Sequence, residues 1–185
     1  MNEKDMKRTI LSSEYIIKRP WLTARKDKLQ LPDGRINPEY YVLEYPDWVN
    51  IIAIREDGKF IMERQYRHGI QMTGYEIPAG VIEKGETPLE AAKRELWEET
   101  GYVGDCWEEL LTEAPNSSTC TNFCHSFIAR NLKKVDGQHL DPTEDISVII
   151  MTLDEVRNLL FNNEIKQALM LAPLWKFFAL KLYQK

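Results

Sequence analysis

Apolar side chains change their spacing several times along this chain, and each change marks a different element. Over residues 13–45 apolar and polar positions alternate around "LPDGR", the pattern of two strands joined at Pro32, Asp33 and Gly34. An antiparallel β-hairpin is therefore expected in an N-terminal β extension, residues 1–45, ahead of a main domain over residues 46–185. "WVNIIAIREDGKFIMERQYR" repeats the arrangement with β-branched and aromatic residues in both arms, and its Asp57-Gly58 dipeptide favours a tight two-residue turn. After the loop "HGIQMTG" a short strand is expected in "YEIPAG", and others in "WEELLTEA", "NFCHSFIARNL" and "ISVIIMTL". The spacing becomes helical in "PLEAAKRELWEET", in "LDEVRNLLFNN" and over most of residues 164–183. Strands and helices do not alternate regularly, so the pattern predicts an α+β sandwich with helices against a mixed sheet.

The helix expected over residues 88–100 has defined ends. Thr87 is a good N-cap, Pro88 occupies the first helical position where a missing N–H costs nothing, and Glu90 completes a capping box. Gly101 supplies the stop. Leu89, Ala92 and Leu96 form its buried stripe, while Glu95 and Glu99 stand one turn apart on one face with Glu98 beside them. Neighbouring carboxylates repel by roughly 0.2 to 0.5 kcal/mol per pair on an isolated helix, so the cluster calls for an explanation. One is a solvated acidic face neutralised by Lys93 and Arg94. The other is a site for a hard divalent cation, since Mg2+ or Mn2+ prefers oxygen ligands and needs few carboxylates when a substrate phosphate supplies the rest.

Composition narrows the choice. A chain of 185 residues with 43% hydrophobic content makes one domain with room for a modest extension. A formal charge of -5 and no Lys/Arg-dense run argue against a nucleic-acid partner, so a polyanionic substrate would be held through metal ions. The N-terminus lacks a signal-like apolar run, and "LMLAPLWKFFALKLY" is broken by Pro173, Lys176 and Lys181, which predicts a cytoplasmic protein without a membrane partner. Cys106, Cys120 and Cys124 cannot all pair within the chain, which suits a reducing compartment and free buried thiols. Cys120, Cys124 and His125 lack the partner pair that a structural zinc site needs.

The spacing around the helix decides between the two readings. Gly80, Glu86 and "RELWEETGY", residues 94–102, fit G-x5-E-x7-R-E-U-x-E-E-x-G-U at every fixed position, the last apolar place being met by Tyr102. This resembles the Nudix box, and the resemblance implies a Nudix α/β/α sandwich and a hydrolase cutting diphosphates linked to another moiety with divalent cations. It implies that Glu95 and Glu99 bind metal, joined by Glu98 and the backbone carbonyl of Ala79, with Glu86 and Arg94 pairing with or orienting those ligands.

Outside the box, "RQYRHGI", "YEIPAG", "ETGYVGD" and Pro115 resemble the ADP-ribose pyrophosphatase and nucleotide-sugar branch, with Asn116 standing where that branch commonly has glycine. The resemblance implies a nucleoside diphosphate sugar substrate held by Arg67 and Glu76, with GDP-mannose or another nucleotide sugar as the alternative to ADP-ribose. It also implies a homodimer formed through the N-terminal segment, whose Trp21 would stack on the nucleobase, with Tyr40 and Tyr41 behind it. The resemblance further implies that an acid of "GQHLDPTEDISV" closes over the metals as catalytic base; Glu144 matches best, and Asp141 and Asp145 compete for that role. A non-catalytic nucleotide-sugar sensor would be expected to lose box carboxylates that this chain keeps.

Overall fold

The computed structural model describes residues 6–183, which fall into two compact units. One runs up to Pro46 and takes in Ala114–Asn122; the other holds Asp47–Glu113 and the chain from Phe123 onward.

The first unit is an antiparallel sheet of three strands, β1 (Thr9–Arg19), β2 (Leu22–Gln30) and β3 (Ile36–Glu44). The hairpin expected at "LPDGR" is β2–β3, where Gly34 takes φ 86° and donates its N–H to Leu31 O at 2.9 Å. The strand β1 was not separated from β2 by the sequence pattern, because the turn between them is Pro20-Trp21, which has none of the Gly, Asn or Asp residues that announce tight hairpin turns. Every residue of β1 is exposed. Asp27 is buried and accepts from Ser13 Oγ at 2.7 Å and Arg25 Nε at 3.1 Å. The mid-chain segment Ala114–Asn122 is tied to β3 through Leu43 N–H to Thr119 O, 2.7 Å, and Thr121 N–H to Leu43 O, 3.1 Å.

The second unit is built on a mixed sheet of eight strands. They are β4 (Trp48–Arg55), β5 (Phe60–Arg67), β6 (Met72–Glu76), β7 (Ala79–Val81), β8 (Tyr102–Val103), β9 (Cys106–Glu113), β10 (Cys124–Lys134) and β11 (Ile146–Met151). The central path is β11-β5-β4-β10-β8, with β6 beside β5, β7 beside β4 and β9 beside β10. The pair β4 and β10 is parallel and the other pairs are antiparallel. Because alternate residues of a strand face opposite ways, Ile52, Ile54, Phe60 and Met62 meet α2 (Leu153–Phe161) and α3 (Ala168–Tyr183), while Val49, Ile51, Ala53 and Ile61 meet α1 (Pro88–Thr100). Helices therefore cover both faces, the α/β/α arrangement of an α+β fold with a mixed sheet. Among the described residues no helix is long and apolar enough to cross a membrane.

Two local differences from the sequence pattern stand out, the second of them at the site. In the β4–β5 hairpin Gly58 closes the turn instead of sitting at its centre: its N–H donates to Arg55 O at 3.0 Å, and its φ of 77° lets Lys59 resume pairing with Arg55. "YEIPAG" is two strands, not one. The strand β6 ends its pairing with β5 at Glu76, the chain passes Ile77-Pro78, and β7 continues beside β4, with Pro78 O accepting from Ile51 N–H at 2.9 Å. Proline has no N–H to give a ladder, so the change of partner falls there.

Candidate active site

The helix α1 has the predicted ends. Thr87 N–H donates to Glu90 Oε2 at 2.8 Å, and Glu90 N–H returns to Thr87 Oγ1 at 3.3 Å. At the other end Gly101 takes φ 73°, where a Cβ would collide with the carbonyl oxygen of Asp136. Ala91 joins Ala92 and Leu96 in the buried stripe, while Leu89 is only partly buried.

Fixed at both ends, α1 directs Glu95 and Glu99 at the short strand β7. Ala79 N–H donates to Glu99 Oε2 at 3.0 Å, and Val81 N–H donates to Glu95 Oε1 at 3.1 Å. The two carboxylates thus converge on backbone two residues apart. Between them lies Gly80, where any Cβ would overlap the Glu95 carboxyl group. This is the physical reason for the glycine that opens the "GVIEKGE" loop: it is needed for close approach, not for a left-handed backbone.

Arg94 binds that loop to the helix. Its Nε and Nη2 grip Glu86 Oε1 and Oε2 at 2.8 and 2.9 Å, Nη2 also donates to Val81 O at 2.8 Å, and Nη1 reaches Glu98 Oε2 at 3.0 Å and Glu95 Oε1 at 2.9 Å. The guanidinium holds Glu86 below the usual carboxylate range, helped by a hydrogen bond from Glu83 N–H. On β5 and β6, Arg67 forks onto Glu76, Nε to Oε1 at 2.9 Å and Nη2 to Oε2 at 2.6 Å, which leaves Nη1 outside the fork. Glu76 is buried and Arg67 is partly exposed.

One residue of the cluster was missed in the sequence. Glu63, 3% exposed, lies on β5 directly opposite Glu76, and its Oε1 has no hydrogen-bond partner. Its signal was an acid two positions after Ile61, on the strand face that packs against α1, where alternation calls for an apolar side chain. Burial pushes its carboxyl up to about 8, reinforced by Glu76 and, further down, Glu144 and Glu95. Burial also raises Glu95, and it raises Glu99 well above the ordinary value, with Glu63 and Glu95 adding repulsion.

The loop following β10 is moored to the end of α1. Val135 N–H donates to Gly101 O at 2.9 Å, His139 N–H to Glu98 O at 2.7 Å, and the Gln138 amide to both Glu99 O and Ile146 O at 2.8 and 2.9 Å. The His139 ring stacks on Trp97 at 4.3 Å between centroids. Further along, Glu144 N–H donates to Asp141 O at 2.9 Å, and Asp141 N–H returns to Glu144 Oε2 at 3.0 Å. Of the three acids singled out in this loop, Glu144 is the one whose charge figures among the leading influences on Glu63 and Glu99. Trp21 stands in the other unit, 86% exposed in the β1–β2 turn. There Tyr40 bonds Ser118 O through its hydroxyl, and Tyr41 is exposed. Cys124 is buried with its thiol pushed up to about 12 by burial, but Cys106 is exposed, which corrects the expectation of buried thiols throughout.

These residues suit a hard cation. The donors are all oxygens, and the hydrogen bonds of Glu95 and Glu99 to β7 use one oxygen of each. Among the described residues no three acidic, histidine or cysteine side chains close into a finished cage. Mg2+ does not need one, because it keeps several waters and takes one or two carboxylates plus substrate phosphates.

Because Glu63 and Glu99 bind protons more tightly when folded, the metal-free native state carries more protons than the unfolded chain above the ordinary value of 4.5. Their contribution to stability is thus fullest below that value and is lost as pH rises towards about 8, above the range in which depressed carboxylates such as Glu86 titrate. Urea unfolding in chelator should show a midpoint that declines across this window. A rising midpoint would mean that these carboxylates are not buried together.

Comparison with known proteins agrees with this geometry. Residues 44–172 match the NUDIX domain, and residues 9–43 match the "Nucleoside diphosphate sugar hydrolase N-terminal domain". The chain belongs to the Nudix family of hydrolases, whose members generally use divalent metal ions. It is 35% identical over 154 residues to the methanol dehydrogenase activator of Bacillus methanolicus, an alignment covering 83% of this chain and 80% of that one. It is 29% identical over 166 residues to the ADP-ribose pyrophosphatase of Bacillus subtilis, covering 89% of each. A crystal structure described as an ADP compounds hydrolase superposes with a TM-score of 0.85 over 98% of both chains at 23% identity, which establishes the shared fold.

Proposed function

We propose that this chain hydrolyses the diphosphate of ADP-ribose or a closely related nucleoside diphosphate sugar in the presence of Mg2+, releasing AMP and a sugar phosphate. The observation that carries the proposal is the convergence of Glu95 and Glu99 on β7, within one acidic cluster that also includes Glu76, the partner of Arg67. The similarity to enzymes named ADP-ribose pyrophosphatase and, in mouse, ADP-sugar pyrophosphatase supports the substrate class.

Glu95, Glu99, Glu98 and the Ala79 carbonyl would hold the ion, which when bound neutralises the diphosphate and acidifies a coordinated water. Arg94 keeps this set in place by fixing Glu86, Val81 O and Glu98 together. Arg67, oriented by Glu76, presents a planar cation to the diphosphate oxygens. Glu144 takes the proton of the attacking water; the new bond forms from that water to phosphorus, and the bridging P–O bond breaks. Trp21 supplies an aromatic face for the base. The first unit is also the proposed dimer surface. Ile10, Leu11, Tyr15, Ile16 and Ile17 all stand exposed on β1, apolar area that a partner chain would cover. A cytoplasmic homodimer is the assembly we assign.

The test is incubation with ADP-ribose, ADP-glucose, GDP-mannose and nucleoside triphosphates plus Mg2+, with products resolved by ion exchange. AMP and ribose 5-phosphate from ADP-ribose are the expected products. Consumption of triphosphates alone would refute the assignment.

A further inference from the structure

Glu63 lies outside the box and outside every segment that pointed to the substrate, yet it is one of the most deeply buried acids in the chain. Three observations place it. On β5 it shares a face with Ile61, which packs against Ala91, Ala92 and Leu96 of α1. It is paired in register with Glu76 on one side and with Val148 on the other, and Val148 borders the same cluster. Its Oε1 is sealed from solvent with no donor at all. The side chain therefore enters the layer between sheet and helix that Glu99 enters from α1.

As a structural residue Glu63 makes no sense. A buried carboxyl group left without a partner is costly whether it carries its charge or a proton, and an apolar side chain of similar size would serve this strand better. Arg67 is the cation acting on it, but that guanidinium is already forked onto Glu76. The other charges felt at Glu63 are acids: Glu76, Glu144 and Glu95. An acceptor without a donor, held among carboxylates, is a ligand position for a cation that brings no hydrogen of its own.

We infer that Glu63 is a further oxygen ligand of the divalent-cation site, approaching from the sheet while Glu95 and Glu99 approach from α1. This rests on the reading of the box carboxylates as metal ligands. The added anionic donor lets the protein hold the ion before any substrate phosphate arrives, since ligand charge count tunes cation affinity in oxygen sites.

The experiment measures Mn2+ binding to the substrate-free protein by the loss of the free-ion electron paramagnetic resonance signal. Wild type, Glu63→Gln, Glu63→Val and Glu99→Gln would be compared. Glu63→Gln and Glu63→Val are both expected to weaken binding by at least ~10-fold, as when a group that supports a metal is removed. Glu63→Val is also expected to melt at a higher temperature than wild type in chelator and to gain less from added Mn2+. Circular dichroism confirms that each variant is folded, and the near-isosteric glutamine keeps the test open should valine misfold. If wild type binds Mn2+, Glu99→Gln loses it and both Glu63 variants bind as wild type does, the Glu63 assignment is overturned while the box reading stands. If substrate-free wild type takes up no Mn2+, the Glu63 assignment is overturned, while the box reading, in which substrate phosphates complete the site, is judged separately by metal-dependent turnover of ADP-ribose.

Discussion

Glu99→Gln is expected to lower turnover of ADP-ribose at least ~100-fold while leaving the fold intact, the scale of loss seen when one fixed electrostatic contact is removed from a reacting centre. The argument for a clean effect is local. The hydrogen bond from Ala79 N–H to Glu99 Oε2 can be kept by the amide oxygen of glutamine, so the strand and helix stay tied. What disappears is one negative charge in a cluster where Glu63 and Glu95 already oppose it. Metal-free stability should therefore hold or rise, while the ion loses a ligand. Steady-state kinetics in Mg2+ beside a thermal melt in chelator separate the two effects. Full activity in this variant would remove Glu99 from the metal site.

Gly80→Ala is expected to be nearly as damaging to activity although it touches no charge. The added methyl overlaps the carboxyl group of Glu95, and β7 is held in place by its pairing with β4. Glu95 must then swing away from Val81 N–H, and a displacement near 1 Å at a catalytic centre costs on the order of 10²-fold. The stability penalty should be about 1 to 3 kcal/mol, typical of forcing a methyl group into filled space. Chemical denaturation and turnover, measured together, check both figures. A variant with undiminished turnover would show that Glu95 works from another position.

The contrast between these residues shows what could be read from the chain. Thr87, Pro88, Glu90 and Gly101 are local signals, acting within a turn or two of themselves, so the limits and facing of α1 were legible before any coordinates. The reason for Gly80 was not, because the side chain it must admit comes from fifteen residues further on. Glu63 was passed over as one polar position in a strand; its meaning depends on Glu76 lying opposite and on α1 covering that face. The β1–β2 turn escaped for a different reason, since Pro20-Trp21 carries no left-handed residue to mark it. Pairwise motifs announce themselves, whereas a cluster assembled from a strand, a helix and a distant loop becomes visible only once the sheet order is known.

The mooring of the loop after β10 limits how the proposed base can move. One amide, that of Gln138, clasps the last turn of α1 and the first residue of β11, so the stretch between it and Ile146 is closed like a short ring with its ends held together. Movement of Glu144 inside that ring would come from re-aiming its own side chain and the Asp141 turn, a swing of small radius.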